Sequence, residues 1–87
     1  MQIREDYVLR KLGIGYMAIP VGQAGQEFQG VIRLNGTGAF LWQCILDGAD
    51  TREKLIAAML ERYEGLDEAT AGRDLDAFLA AIGRALV

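Results

Sequence analysis

The sequence contains no histidine and no serine, and it has a single cysteine, Cys44, and a single proline, Pro20. The lack of histidine removes the commonest general base and the commonest metal ligand, and the lack of serine removes one class of nucleophile. One cysteine cannot form an intrachain disulfide, and without histidine it cannot complete a Cys/His metal site. Cys44 has apolar neighbours, which is typical of a buried, unreactive thiol. We therefore expect a non-catalytic protein with no metal and no cofactor.

Charge and hydropathy restrict the classes of partner. Nine Lys and Arg residues against twelve Asp and Glu residues give a net charge of −3, and the basic residues are scattered rather than concentrated on one stretch. Nucleic-acid binding usually requires such a concentration. The first residues, MQIREDYVLRK, carry charges where a signal peptide has its apolar core, and no run is long enough to span a membrane. We expect one cytoplasmic domain, residues 1–87, with neither nucleic acid nor membrane as a partner.

The centre of the chain combines a short apolar run with a second, longer one. Val31–Leu34 is too short for a helix and contains β-branched residues, so a strand is predicted. Ala39–Leu46 is apolar on most sides at helical spacing, which predicts a buried helix. The turn between them begins with Asn35, whose side chain is suited to cap that helix. This segment is therefore expected to join a sheet to a helical layer.

The flanking segments complete an α+β domain, a three-stranded antiparallel sheet followed by three helices. Upstream, two strands and a glycine-rich loop are predicted, in the order Tyr7–Ile14, Tyr16–Val21 and Gly22–Gly30. Downstream, a helix over Arg52–Glu64 is expected to be capped by Asp50 or Thr51, and a last helix is expected to run from its cap Asp67 to about Gly83. The order is β-β-β-α-α-α, with the helices on one face of the sheet.

The last helix has two distinct faces. Its apolar stripe, Leu75, Phe78, Leu79, Ile82 and Leu86, is expected to face the core, whereas the opposite side carries small residues between two arginines, at Arg73, Ala77, Ala80, Ala81 and Arg84. Two interpretations remain: alanine is the best helix former, or the small side chains form a groove wall against another chain. An open edge on the strand Val31–Leu34 would complete a peptide groove, unless a loop of the chain covers that edge.

The stretch Leu34–Trp42, LNGTGAFLW, resembles the most characteristic motif of the PqqD-like proteins, in which leucine-asparagine-glutamate-threonine-glycine-alanine is followed by tryptophan. Gly36 stands where the family has an acidic residue, and Gly72 and Gly83 are further departures that weaken the last helix. Supporting matches occur along most of the chain, at Phe28–Ile32, Asp47–Gly48, Thr51–Glu53, Glu61–Tyr63 and Asp74–Leu79.

This resemblance implies a winged-helix-like fold and a role in recognising ribosomally made peptides. Members of the family bind the leader of a precursor peptide as an extra strand beside the third strand and against the last helix. They present it to a radical S-adenosylmethionine (SAM) enzyme, as in the biosynthesis of pyrroloquinoline quinone (PQQ). By this resemblance, the peptide-binding residues are Val31, Ile32, Arg33 and Leu34 on the strand and Arg73, Asp74, Ala77, Ala81 and Arg84 on the helix.

Two alternatives belong to other functional classes. A winged-helix DNA-binding protein has an overlapping architecture, with Arg52–Glu64 as the helix that would enter the major groove. A dimerisation module would instead pair the open strand edge with that of a second copy, giving a homodimer.

Overall fold

The computed structural model describes residues 1–21 and 30–87 and confirms the predicted element order. Its elements are the strands β1 (Tyr7–Leu12), β2 (Gly15–Pro20) and β3 (Ile32–Leu34), the helices α1 (Gly36–Leu46), α2 (Arg52–Arg62) and α3 (Glu68–Ala81), and a 3₁₀ turn at Gly83–Ala85. The fold is α+β and winged-helix-like, as predicted. The predicted loop Gly22–Gly30 lies outside the described residues except for Gly30.

The first two strands form a tight hairpin. Leu12 pairs with Gly15, so Gly13 and Ile14 alone make the loop, and Gly13 adopts the positive φ of 63° that a two-residue loop of type II′ needs in its first position. The prediction that the first strand continues to Ile14 was therefore wrong by two residues. The side chain of Ile14 is fully exposed at the tip of the hairpin.

The three strands form one antiparallel sheet in the order β1-β2-β3, which leaves β3 at an edge. Its residues pair with β2 through Tyr16↔Leu34 and Ala18↔Ile32. Pro20 is the last residue of β2, at the end of a strand, where the missing N–H is tolerated.

The core lies between one face of the sheet and the three helices. From the sheet, Tyr7, Ala18, Ile32 and Leu34 are buried, and the Tyr7 ring meets the Trp42 ring edge-on at 6.4 Å between centroids. The helices contribute Leu41, Trp42, Ile45, Leu55, Ile56, Met59, Leu75 and Phe78, and Ile82 is buried directly after α3. No helix within residues 1–21 and 30–87 is long and apolar enough to cross a membrane.

The structure decides between the two predicted caps of α2 and differs from the prediction at two helix ends. Thr51, rather than Asp50, caps α2, because its hydroxyl accepts a hydrogen bond from the Lys54 N–H at 3.2 Å. This helix ends at Arg62, two residues earlier than expected, and α3 ends at Ala81 before the 3₁₀ turn. The predicted cap Asp67 is confirmed, accepting from the Thr70 N–H at 2.7 Å.

Candidate functional site

The junction between β3 and α1 is held by a short turn. The side-chain oxygen of Asn35 accepts a hydrogen bond from the Gly38 N–H at 2.8 Å, which confirms Asn35 as the N-cap of α1. A Cβ at Gly38 would lie 3.2 Å from the Leu34 side chain, which is tighter than ordinary contact. Glycine at position 38 therefore lets the first turn of α1 approach the end of β3 closely.

A groove of about 310 Å³ opens between this junction and α3. Leu34, Leu41 and Phe78 supply its apolar lining, and each of them is buried. The remaining lining consists of polar or small residues: Arg33, Asn35, Thr37 and Gly38 on the strand and turn side, and Asp74, Ala77 and Ala81 on α3. The site is a cleft with an apolar floor, a wall of small side chains and the Asp74 carboxylate at its margin.

The outer edge of β3 adjoins this groove. Because the two-residue hairpin closes on the hydrogen-bonded pair Leu12–Gly15, alternation along β2 directs the backbone groups of Tyr16 and Ala18 toward β3. Their partners on β3 are Leu34 and Ile32, so the N–H and C=O of Arg33 point away from the sheet. Among residues 1–21 and 30–87, β3 pairs with β2 alone. This edge thus offers backbone donors and acceptors to a further strand.

An ion pair between two residues 24 positions apart in the sequence joins α2 to α3, the helix that forms one wall of the groove. The Arg52 guanidinium donates two hydrogen bonds to the Asp76 carboxylate, each at 3.1 Å. The hydrogen bond from Arg52 lowers the pKa of Asp76, and the same contact raises the pKa of Arg52. A Cβ at Gly72 would lie 3.0 Å from an Arg52 nitrogen, so glycine there leaves room for the arginine to reach across α3.

The structure brings five of the nine sequence-predicted site residues to the groove: Arg33, Leu34, Asp74, Ala77 and Ala81. Ile32 is buried in the core, and Val31 is exposed just before β3. Arg73 lines a different cleft, beside Arg52 and Glu68. Arg84 lies in the 3₁₀ turn rather than on α3, and its carbonyl accepts from the Arg4 side chain at 3.5 Å.

Five groove residues were not predicted as site residues: Asn35, Thr37, Gly38, Leu41 and Phe78. The sequence predicts Asn35 only as the cap of α1, and in the structure Asn35 and Gly38 both shape the turn as well as line the groove. The two apolar residues fit the helical core pattern, and helical spacing does not separate the floor of a cleft from the interior. Only the placement of α3 beside the turn shows the difference.

A larger cleft of about 640 Å³ lies elsewhere, where Met1, Ile3 and Val87 meet the end of α1. Its neighbouring backbone is already paired, since Ile3 bridges to Leu86, and the Val87 N–H donates to the Gln2 carbonyl at 2.8 Å. This cleft therefore does not combine open strand edge and apolar floor as the β3–α3 groove does.

Cys44 is the one thiol of the chain, and it lies outside the groove lining. Burial, with a smaller effect of the nearby Asp47 charge, raises the pKa of Cys44. A raised pKa reduces the thiolate fraction at neutral pH and so lowers the reactivity of this thiol. The chemistry of the site is that of backbone hydrogen bonding, apolar contact and charge.

Comparison with known protein families identifies the family of the chain. The family model for coenzyme PQQ synthesis protein D (PqqD) matches residues 21–85. The chain belongs to the PqqD family. This match spans β3, α1, α2 and α3, and hence the whole groove. A comparison with curated proteins finds no match.

A solved structure shares the PqqD-type fold of this chain. It is described as TbiB1 in complex with the TbiA(beta) leader peptide, and its TM-score is 0.72 at 24% sequence identity. The likeness covers 97% of this chain and 90% of that chain. At this identity the comparison shows the shared fold, in which that protein is seen with a leader peptide.

Proposed function

We propose that this chain is a non-catalytic peptide chaperone that binds the leader of a ribosomally made precursor peptide by strand addition at β3. The observation that carries the proposal is the outward-facing backbone of Arg33 beside the groove formed with α3. Peptides that add to a sheet edge gain affinity from backbone hydrogen bonds and selectivity from adjacent side-chain pockets. Membership of the PqqD family and the leader peptide bound by the TbiB1 fold support the same function.

The predicted site residues take different roles in this proposal. Arg33 supplies the backbone edge, Leu34 and the alanines at 77 and 81 contact the peptide side chains, and Asp74 adds charge at the margin. Val31 and Ile32 extend and anchor the edge strand. Arg73 and Arg84, which lie outside the groove lining, are proposed to contact parts of the leader beyond it.

The proposed partner enzyme is a radical SAM enzyme, and the proposed location is the cytoplasm. The chain has no histidine or serine, and the pKa of its one thiol is raised, so in this proposal the chain positions the peptide and the bond-making steps belong to the enzyme that receives it. The domain would hold the leader while the remainder of the precursor reaches the active site of its partner, which raises the effective concentration of the substrate there.

The decisive experiment is an amide NMR titration of the full chain with the leader of any precursor peptide encoded beside its gene. We expect chemical-shift changes concentrated at residues 31–35 and on α3, with small changes on β1. A precursor that leaves the amides of both segments unshifted at saturating concentration would refute the proposal.

Light scattering on the same samples tests the homodimer. If the β3 edge pairs with a second copy, the mass of a dimer falls toward that of one chain as peptide is added. The mass of a single chain before any peptide is added would refute the homodimer.

A further inference from the structure

The alternation of side chains on β3 implies a sequence preference in the bound peptide, if the proposed function holds. Ile32 and Leu34 point into the core and are buried, whereas Arg33 between them points to the outer face of the sheet and is exposed. A strand added beside β3 must follow the same alternation, with residues directly opposite each other on the same face. The peptide residue opposite Arg33 therefore lies on the outer face, and its two neighbours lie on the inner face, one beside Ile32 and one beside Leu34 at the groove.

The charge of Arg33 is available to that outer residue. None of the ion pairs within residues 1–21 and 30–87 involves Arg33, and its guanidinium donates no hydrogen bond there. Opposite charges on directly facing residues stabilise a strand pair, and like charges destabilise it. An acidic peptide residue is therefore favoured opposite Arg33, and a basic one is disfavoured.

The inward positions have the reverse requirement. Leu34, Leu41 and Phe78 form an apolar floor, and Ala77 and Ala81 leave space above it for large side chains. Asp74 stands at the margin of this groove, so an inward carboxylate would meet a like charge as well as lose its water. Large apolar side chains are therefore favoured at both inward positions, which adjoin the buried residues Ile32 and Leu34.

We propose that the groove selects leader peptides containing an acidic residue between two large apolar residues, with the acidic residue opposite Arg33. This three-residue pattern deepens the proposed function and depends on it. The pattern holds for either direction of the added strand, because the residue opposite Arg33 has inward-facing neighbours in both.

The test is an mRNA-display selection, in which peptides that bind the full chain are enriched from a random library of twelve-residue peptides. Selection is repeated with Arg33→Glu and with Arg10→Glu. Arg10 is the matched control, because it lies on the same outer face and in the same cross-strand row as Met17 and Arg33, but on the far edge strand β1. Each variant changes the net charge equally.

We expect the unmodified chain and Arg10→Glu to enrich apolar–acidic–apolar segments, and Arg33→Glu to enrich apolar–basic–apolar segments. In an enriched peptide, exchange of the central Glu for Lys should weaken binding to the unmodified chain about 3- to 10-fold and strengthen binding to Arg33→Glu by a similar factor, the range expected for one exposed cross-strand pair. If Arg33→Glu does not fold, Arg33→Gln is used, and the acidic preference should disappear.

The outcomes separate the two proposals. If enriched peptides shift the amides of β3 and α3 but show no central acidic residue, the inferred pattern is wrong and the proposed function stands. If Arg10→Glu changes the preference as much as Arg33→Glu, the effect reflects net charge and the pattern is again wrong. If no enriched peptide shifts those amides, both proposals fail.

Discussion

A larger side chain on the α3 side of the groove should weaken peptide binding without destabilising the fold. Ala77 lines the groove and is exposed, so Ala77→Leu places an apolar side chain in the space proposed for one inward peptide residue. Burial of a large apolar side chain contributes about 1.5–3 kcal/mol. Losing that contribution should weaken peptide binding about 10- to 150-fold.

Ala80→Leu is the matched control, because Ala80 is exposed on the same helix and does not line the groove. Leucine is nearly as good a helix former as alanine, so both variants should keep their free energy of unfolding within about 0.5 kcal/mol of the unmodified chain. Affinity is measured by fluorescence anisotropy of a labelled peptide from the library selection, and stability by thermal unfolding followed by circular dichroism. Equal losses of affinity in the two variants, or no loss in Ala77→Leu, would refute the position assigned to the peptide.

Three further predictions concern the scaffold of the groove. Asn35→Ala removes the acceptor for the Gly38 N–H and should cost about 1 kcal/mol, lowering Tm by about 4–8 °C, whereas Asn35→Asp should not destabilise. Gly36→Glu should stabilise the fold, because glutamate has a higher helix propensity than glycine, worth up to about 1 kcal/mol. Its charge should add about 0.3–1 kcal/mol, because the first turn of α1 has no acidic residue. Gly36→Gln should show only the gain from helix propensity when thermal unfolding of both variants is compared. The hydrogen bond from the Thr70 N–H lowers the folded-state pKa of the cap Asp67, so its stabilisation should be complete above about pH 4 and be lost as pH falls through that lowered value. Urea unfolding at several acidic pH values should show a weaker pH dependence for Asp67→Asn, and an unchanged dependence would contradict this assignment.

Local signals in the sequence were sufficient to predict the strands and helices that position the groove. Asn35 and Asp67 are confirmed as caps because capping depends on residues within one helical turn. The apolar runs likewise placed the three strands and three helices in the right order. Errors occurred where an apolar residue has an exposed position, as at Ile14 in the hairpin loop, since hydropathy alone favours its burial.

Features that depend on distant contacts could not be predicted in the same way. The Arg52–Asp76 pair joins residues 24 positions apart, and no spacing rule connects them. Gly72 had been interpreted as a weak point of the last helix, whereas the structure shows that it leaves space for the Arg52 side chain. The end of α3 also depends on tertiary contacts, because the residues after it turn back toward the N-terminus, where Ile3 bridges to Leu86.

The electrostatics of α2 argue against the DNA-binding alternative. Each cation of this helix already has a local partner: Arg52 bonds to Asp76, the Lys54 ammonium donates to Asp50 at 3.0 Å, and the Arg62 guanidinium lies 5.2 Å from the centroid of the Tyr63 ring. Phosphate binding would have to replace these contacts while Glu53 and Glu61 on the same helix repel the DNA backbone. Arg33, by contrast, stands beside an open strand edge and an apolar groove, a combination suited to an extended peptide and not to the surface of a duplex. In this domain an available charge, that of Arg33, instead lies on the edge strand β3, next to the groove formed with α3.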